Sequence, residues 1–236
     1  MTLSIVSPVY NSANTIHTLI KEIKKSTVDF SIEIILVDDG SIDHSWQIIE
    51  EVCLQDSFVR GIKLKQNYGQ HQAICAGLEQ AIGEWIVVLD CDLQDNPGEI
   101  PKLFLQTKNN YQIILAKRIN RKDVFWKKST SYIFWKIVSL LSNTSIHPLV
   151  GNFGLYHKDV IAKFISSKSK EPYFSIAMQK FDFKRIAVET EHQERMKEES
   201  SYSFLKLIIH AKNVLLKTSG FAKPAINNYL VDKVIN

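Results

Sequence analysis

Over the first half of the chain, short apolar runs alternate with stretches whose apolar residues recur every three or four positions. The runs LSIVSPV, IEIILVDD, VRGIKL, EWIVVLD and QIILAK have the length and composition of strands. Between them, helical spacing extends to about Lys25, over Ser45 to Cys53, over about Gln70 to Ala81, and on from Pro97. Strands and helices taken in turn give βαβ units and a parallel sheet, because parallel neighbours need a crossover and a helix supplies it. The segment up to Lys117 therefore reads as a nucleotide-binding half.

The rest continues the pattern with a strand at NFGLY, a helix near Lys158 to Ile165 and a strand around Arg185 to Thr190. A last helical pattern over 202–218 sets Phe204, Leu207, Ile208, Ala211 and Leu215 on one side and Lys206, Lys212 and Lys217 elsewhere. Such a basic amphipathic helix suits an anionic membrane interface, and equally suits packing on the domain with its lysines in solvent. No linker or repeat interrupts the chain. Residues 1–236 read as one α/β domain, with 1–117 as the nucleotide-binding half and 118–236 as the acceptor-side half. Its 45% hydrophobic residues, with only 9 Gly and 6 Pro, supply a single core.

Two acidic clusters fall at strand ends, where open parallel sheets place their ligands. Asp90-Cys91-Asp92 follows IVVL, and alternate carboxylates there can share one hard cation that bridges two phosphates. Crowded carboxylates are costly without a cation, although a bare Asp-x-Asp is also a common solvated turn. The other cluster, VDDGS, offers carboxylates to a base N–H and a glycine for a tight turn, which is equally the pattern of an ordinary Asp-Gly turn. Asn67-Tyr68-Gly69-Gln70-His71 opens a helix whose N-terminus attracts anions; alone it is as readily a polar cap.

Charge alters this picture only locally. A net charge of +4 is too small to argue for nucleic acid, but Lys117, Arg118, Arg121, Lys122, Lys127, Lys128 and Lys136 cluster against Asp123 alone, as a phosphate-facing segment would. Cys53, Cys75 and Cys91 lie far apart with no CxxC pair, which suits a reducing compartment. The opening TLSIVSPVYN lacks the features of a secretion signal, and no apolar run reaches the length that spans a bilayer. A cytoplasmic protein, peripheral on the inner face of the membrane, is the expectation. Phe125, Trp126, Ile133, Phe134 and Trp135 could face the core, a membrane or a second copy in a homo-oligomer.

The stretches SIVSPVYNSANTI, IILVDDGSIDHSW, NYGQHQAICAGLEQAIGEWIVVLDCDLQDNPGEIPKL, AKRINRKD, GNFGLYHKDVI and ERMKEESSYSFLKL together resemble glycosyltransferase family 2. Within it, the likeness is to the branch of dolichyl-phosphate mannose synthase and bacterial polyprenyl-phosphate glycosyltransferases, from Ser4 to about Ile226. The long middle stretch is the most specific. The resemblance implies the GT-A fold, a Rossmann-like, mostly parallel sheet flanked by helices. It also implies inverting, hexosyltransferase-type transfer from a UDP- or GDP-type nucleotide-sugar donor, in cell-surface glycan synthesis.

By that resemblance Pro8, Tyr10, Asn11, Asp38 and Asp39 surround the nucleoside, Asn67 and Gly69 join them, and Asp90 and Asp92 hold Mg²⁺ or Mn²⁺. Asp92, Gln94, Arg118, Arg121, Lys128 and Arg195 are the expected catalytic set, with Arg118, Arg121 and Lys128 meeting donor and acceptor phosphates and Arg195 matching the branch's late R…S/T…Y pattern. Relatives usually carry Asp and Arg where this chain has Asn152 and Gly154, and Gly and Lys where it has Glu198 and Ser201, so the acceptor side has changed. Asn152 cannot act as a base, which favours a polyprenyl phosphate acceptor, already ionised, over a hydroxyl. Two alternatives remain: transfer to a hydroxyl of a growing, lipid-linked O-antigen or capsule glycan, with Asp95, Glu99 or a residue that the sequence does not identify as base, and a non-catalytic nucleotide-sugar scaffold.

Overall fold

The apolar runs are strands because helices cover both of their faces. The computed structural model describes residues 2–119, 150–167, 174–191 and 229–236. Its first half runs β1 (Thr2–Val9), α1 (Ile16–Ser26), β2 (Ser31–Asp38), α2 (Ser45–Gln55), β3 (Val59–Leu64), α3 (Gln70–Gln80) and β4 (Trp85–Val88). Alternate residues of β2 serve opposite layers: Ile34 and Leu36 pack with Leu19, Ile23, Trp46 and Ile49 of α1 and α2. Ile35 and Val37 pack with Ala73, Ile74 and Leu78 of α3. Strands buried on both sides need no polar alternation, hence their continuous apolar sequences.

The segment after Pro97 is less regular than one helix. A 3₁₀ turn, Pro97–Glu99, is capped by Asn96, whose Oδ1 accepts from the Gly98 N–H at 2.8 Å, and it leads into α4 (Ile100–Leu105). Then come β5 (Ile113–Ile119), β6 (Val150–His157), α5 (Lys158–Ser166), α6 (Phe174–Lys180), β7 (Arg185–Glu191) and β8 (Val231–Ile235). The helix expected over 202–218 lies outside the described residues. No helix among the described residues is long and apolar enough to cross a membrane.

All eight strands form one sheet in the order β7-β5-β6-β4-β1-β2-β3-β8. β1 lies parallel to β2 and β4, β2 to β3, and β5 to β7. The mostly parallel expectation therefore holds, with two antiparallel members. β8 covers the edge of β3, held by Lys233 on Glu50 at 2.6 Å and by Arg60 on Asn236 at 3.0 Å. β6 inserts antiparallel between β4 and β5 with Val88 opposite Gly154. Two residues beyond that pair, the antiparallel register brings Asn152 to Asp90.

Candidate active site

The carboxyl ends of β1, β2 and β4 and the start of α3 enclose a cleft of ≈ 460 Å³. Pro8, Tyr10, Asp39, Asn67, Gly69, Asp90 and Asp92 all line it, so the two acidic clusters share one cavity. Adjacent parallel strands with crossovers on both faces produce this juxtaposition, since every strand end opens on the same edge.

Asp39 ties three loops together. Its N–H donates to the Val9 carbonyl at 2.8 Å, while its carboxylate accepts from the Tyr68 N–H at 2.7 Å and the Gly69 N–H at 2.9 Å. The next residue, Gly40, has φ +65, and a Cβ there would sit 2.5 Å from the Asn67 nitrogen. Only glycine allows the turn after β2 to press so closely on the loop after β3. Burial pushes the Asp39 carboxyl up to about 6, against the downward pull of its two N–H donors.

Asp38 is fully buried beside it and, like Asn11, is not among the residues that line the cleft. Its Oδ1 accepts from the Ser41 N–H at 3.3 Å, and its Oδ2 has no hydrogen-bond partner among the described residues. Burial raises its pKa as well, and an unused buried acceptor is costly unless an incoming donor meets it. Asn11 sits in the left-handed region at φ 49, which Asn tolerates. Its N–H donates to Ser41 Oγ and its Oδ1 accepts from the Ile42 N–H, both at 3.0 Å, stitching the loop after β1 to the turn after β2.

At the other cluster, Asp90 Oδ1 accepts from Gln70 Nε2 at 2.8 Å and from Asn152 Nδ2 at 3.4 Å. Burial, followed by the charges of Asp95 and Asp92, pushes the Asp90 carboxyl up to about 6, while Arg118 pulls it down. Leu93 takes φ 60 to close the turn, and Asp92 Oδ1 accepts from the Gln94 N–H at 3.1 Å. Two hard oxygen donors facing one cleft, with a carboxyl held up by burial and then by its neighbours' negative charge, fit a divalent cation. Among the described residues no group of three or more His, Cys, Asp or Glu side chains gathers as a closed metal cage.

Arg118 does not line the cleft. Its Nε and Nη2 fork onto Asp95 at 3.0 and 2.8 Å, and Asp95 is 1% exposed. Lys117, the other described member of the basic segment, pairs with Glu189 of β7 at 3.1 Å. Gln94 also stays off the lining, and Arg121, Lys128 and Arg195 lie outside the described residues. Sequence reasoning missed the Asp95–Arg118 fork and the two amides on Asp90. Gln70 was visible inside a motif, whereas the position of Asn152 depends on a register that no local pattern carries.

The chain and its fold have known counterparts. The undecaprenyl-phosphate 4-deoxy-4-formamido-L-arabinose transferase of Proteus mirabilis (strain HI4320) is 35% identical over 213 residues, which cover 87% of this chain and 64% of that protein. An uncharacterized glycosyltransferase of Bacillus subtilis (strain 168), YkcC, is 35% identical over 209 residues with the same shares. The chain thus spans a little under two thirds of the length of these curated relatives. Among solved structures, glucosyl-3-phosphoglycerate synthase from Mycobacterium tuberculosis, in complex with Mn²⁺, uridine diphosphate and phosphoglyceric acid, aligns with a TM-score of 0.63. That match covers 98% of this chain and 86% of the other at 17% identity, and shows the shared GT-A fold. The family model for glycosyl transferase family 2 matches residues 4–165, most of the chain, and the protein belongs to that family.

Proposed function

We propose that the protein is a metal-dependent inverting glycosyltransferase that moves a sugar from a nucleoside diphosphate donor to a polyprenyl phosphate. The observation that carries this reading is the single cleft onto which Asp39, Asp90 and Asp92 all open. Pro8 and Tyr10 flank the nucleoside there, with Asp39 accepting from base or ribose and the buried Asp38 behind it, and Asp90 and Asp92 hold Mg²⁺ or Mn²⁺. When bound, the cation offsets the charge of the departing diphosphate. An acceptor phosphate oxygen attacks the anomeric carbon as the bond to the donor's β-phosphate oxygen breaks, inverting the configuration.

Such an acceptor needs no proton removed. In agreement, Asp95 is committed to Arg118, and Glu99 faces Lys102 at 3.3 Å, so neither candidate base of the hydroxyl-acceptor alternative stands ready in the cleft. The name of the Proteus mirabilis relative points to the same acceptor class. Arg121 and Lys128 remain proposed phosphate contacts, Arg195 a proposed catalytic residue, and 202–218 a proposed peripheral membrane contact.

Calorimetry tests the donor side: a panel of nucleoside diphosphate sugars is titrated into the protein with Mn²⁺ and with EDTA. Binding of one member only in Mn²⁺ is the expected result, followed by sugar transfer to a polyprenyl phosphate. Silence across the panel, with the fold intact, would overturn the reading in favour of a scaffold.

A further inference from the structure

We propose that Gln70 and Asn152 are positioning residues that select which oxygen of Asp90 is presented to the cation; this rests on the function proposed above. Both amides donate to the same atom, Oδ1, one from the first turn of α3 and one from β6. Among the described residues Oδ2 receives no hydrogen bond. A carboxylate gripped from two sides on one oxygen cannot rotate freely about its terminal torsion, which is otherwise broad. The division leaves Oδ2 for a cation.

The two grips come from separate parts of the fold, so neither is incidental to the other. Gln70 lines the cleft directly and, at 2.8 Å, makes the shorter bond. Asn152 arrives by the antiparallel β4–β6 register and is steadied from behind, since Tyr156 Oη donates to its carbonyl at 3.3 Å. Gly154 leaves room for that hydroxyl, as a Cβ there would lie 2.7 Å from it. Asn152 and Gly154 on β6 thus belong to one arrangement: an amide beside Asp90, and a phenol in the space above a glycine. A carboxylate at 152 would repel Asp90; the amide donates to it.

The test uses the full chain and Mn²⁺ as probe, with free ion counted and bound ion characterised by electron paramagnetic resonance. Gln70→Leu removes the donor at similar size and is expected to weaken Mn²⁺ binding about 10-fold, the lower range for residues that orient a metal ligand. Asn152→Leu, losing the longer bond, weakens it less. The double variant loses more than the product of the two, because either amide alone still holds Oδ1. A changed resonance of the bound ion in the single variants distinguishes reorientation of a ligand from loosened packing. Where a Leu variant no longer melts cooperatively, the Ala variant at that position is read instead. Wild-type affinity and resonance in both single variants and the double would overturn the proposal while leaving the function standing. Failure of the wild-type chain to bind Mn²⁺ at all would overturn both.

Discussion

Asp95 shows how one side chain can be assigned from its contacts. Buried and forked to Arg118, it has its proton-accepting oxygens taken up by guanidinium N–H groups. An anchor and a general base predict different losses. Removing an anchor strands a guanidinium that is only 16% exposed, and breaking a buried pair from one side costs about 3–5 kcal/mol. The remaining negative charges of Asp90 and Asp92 still act on Arg118, so the low end, about 3 kcal/mol, is expected for Asp95→Ala. Urea denaturation reads this as a lowered midpoint at unchanged slope. Asp95→Asn, which keeps the size and one acceptor, should lose less. A loss of transfer rate with wild-type stability would instead make Asp95 a base and revive a hydroxyl acceptor.

At the scale of elements, the site depends on loops that hold one another. The turn after β2 and the loop after β3 meet at Gly40, where both positive φ and a 2.5 Å approach forbid a side chain. Gly40→Ala pays strain of about 1–3 kcal/mol and must also displace the Gln66–Asn67 backbone. A lowered melting temperature together with weaker nucleotide binding is expected, because Asn67 lies in the displaced segment and Gly69 follows two residues on; calorimetry and thermal melting read both. The sequence made this turn visible as Asp-Gly but not its purpose, since the carboxylate of Asp39 meets Tyr68 and Gly69 only after the chain has passed through α2 and β3. Strands β1 to β5 were legible for a physical reason: two covered faces leave a continuous apolar run. β8 was not, because VDKVI is short and charged and its place is set by Glu50 and β3 rather than by its own pattern. The antiparallel insertion of β6 was hidden likewise, and with it the meeting of Asn152 and Asp90.

For the whole molecule, the concentration of buried carboxylates at one sheet edge makes stability and cation binding depend on pH together. Asp39 and Asp90 both sit at about 6, above the ordinary 3.8, burial being the main cause in each. A raised acid holds its proton more tightly folded than unfolded. Its stabilising contribution is therefore full below 3.8 and is lost as pH rises through about 6. In EDTA, wild type is expected to lose more melting temperature between about pH 5 and about pH 7.5 than Asp90→Asn, which cannot ionise there. Mn²⁺ reverses the sign, since it binds the ionised carboxylate and, at about 100 times its Kd, stabilises by about 2.7 kcal/mol. Because a proton and the cation compete for Asp90, that gain should shrink as pH falls through about 6. Thermal melting of wild type and Asp90→Asn, with and without Mn²⁺, at both pH values reads all of these terms. A Mn²⁺ stabilisation that stays constant across the range, or persists in Asp90→Asn, would remove Asp90 from the cation site and leave the two acidic clusters sharing a cleft for some other reason.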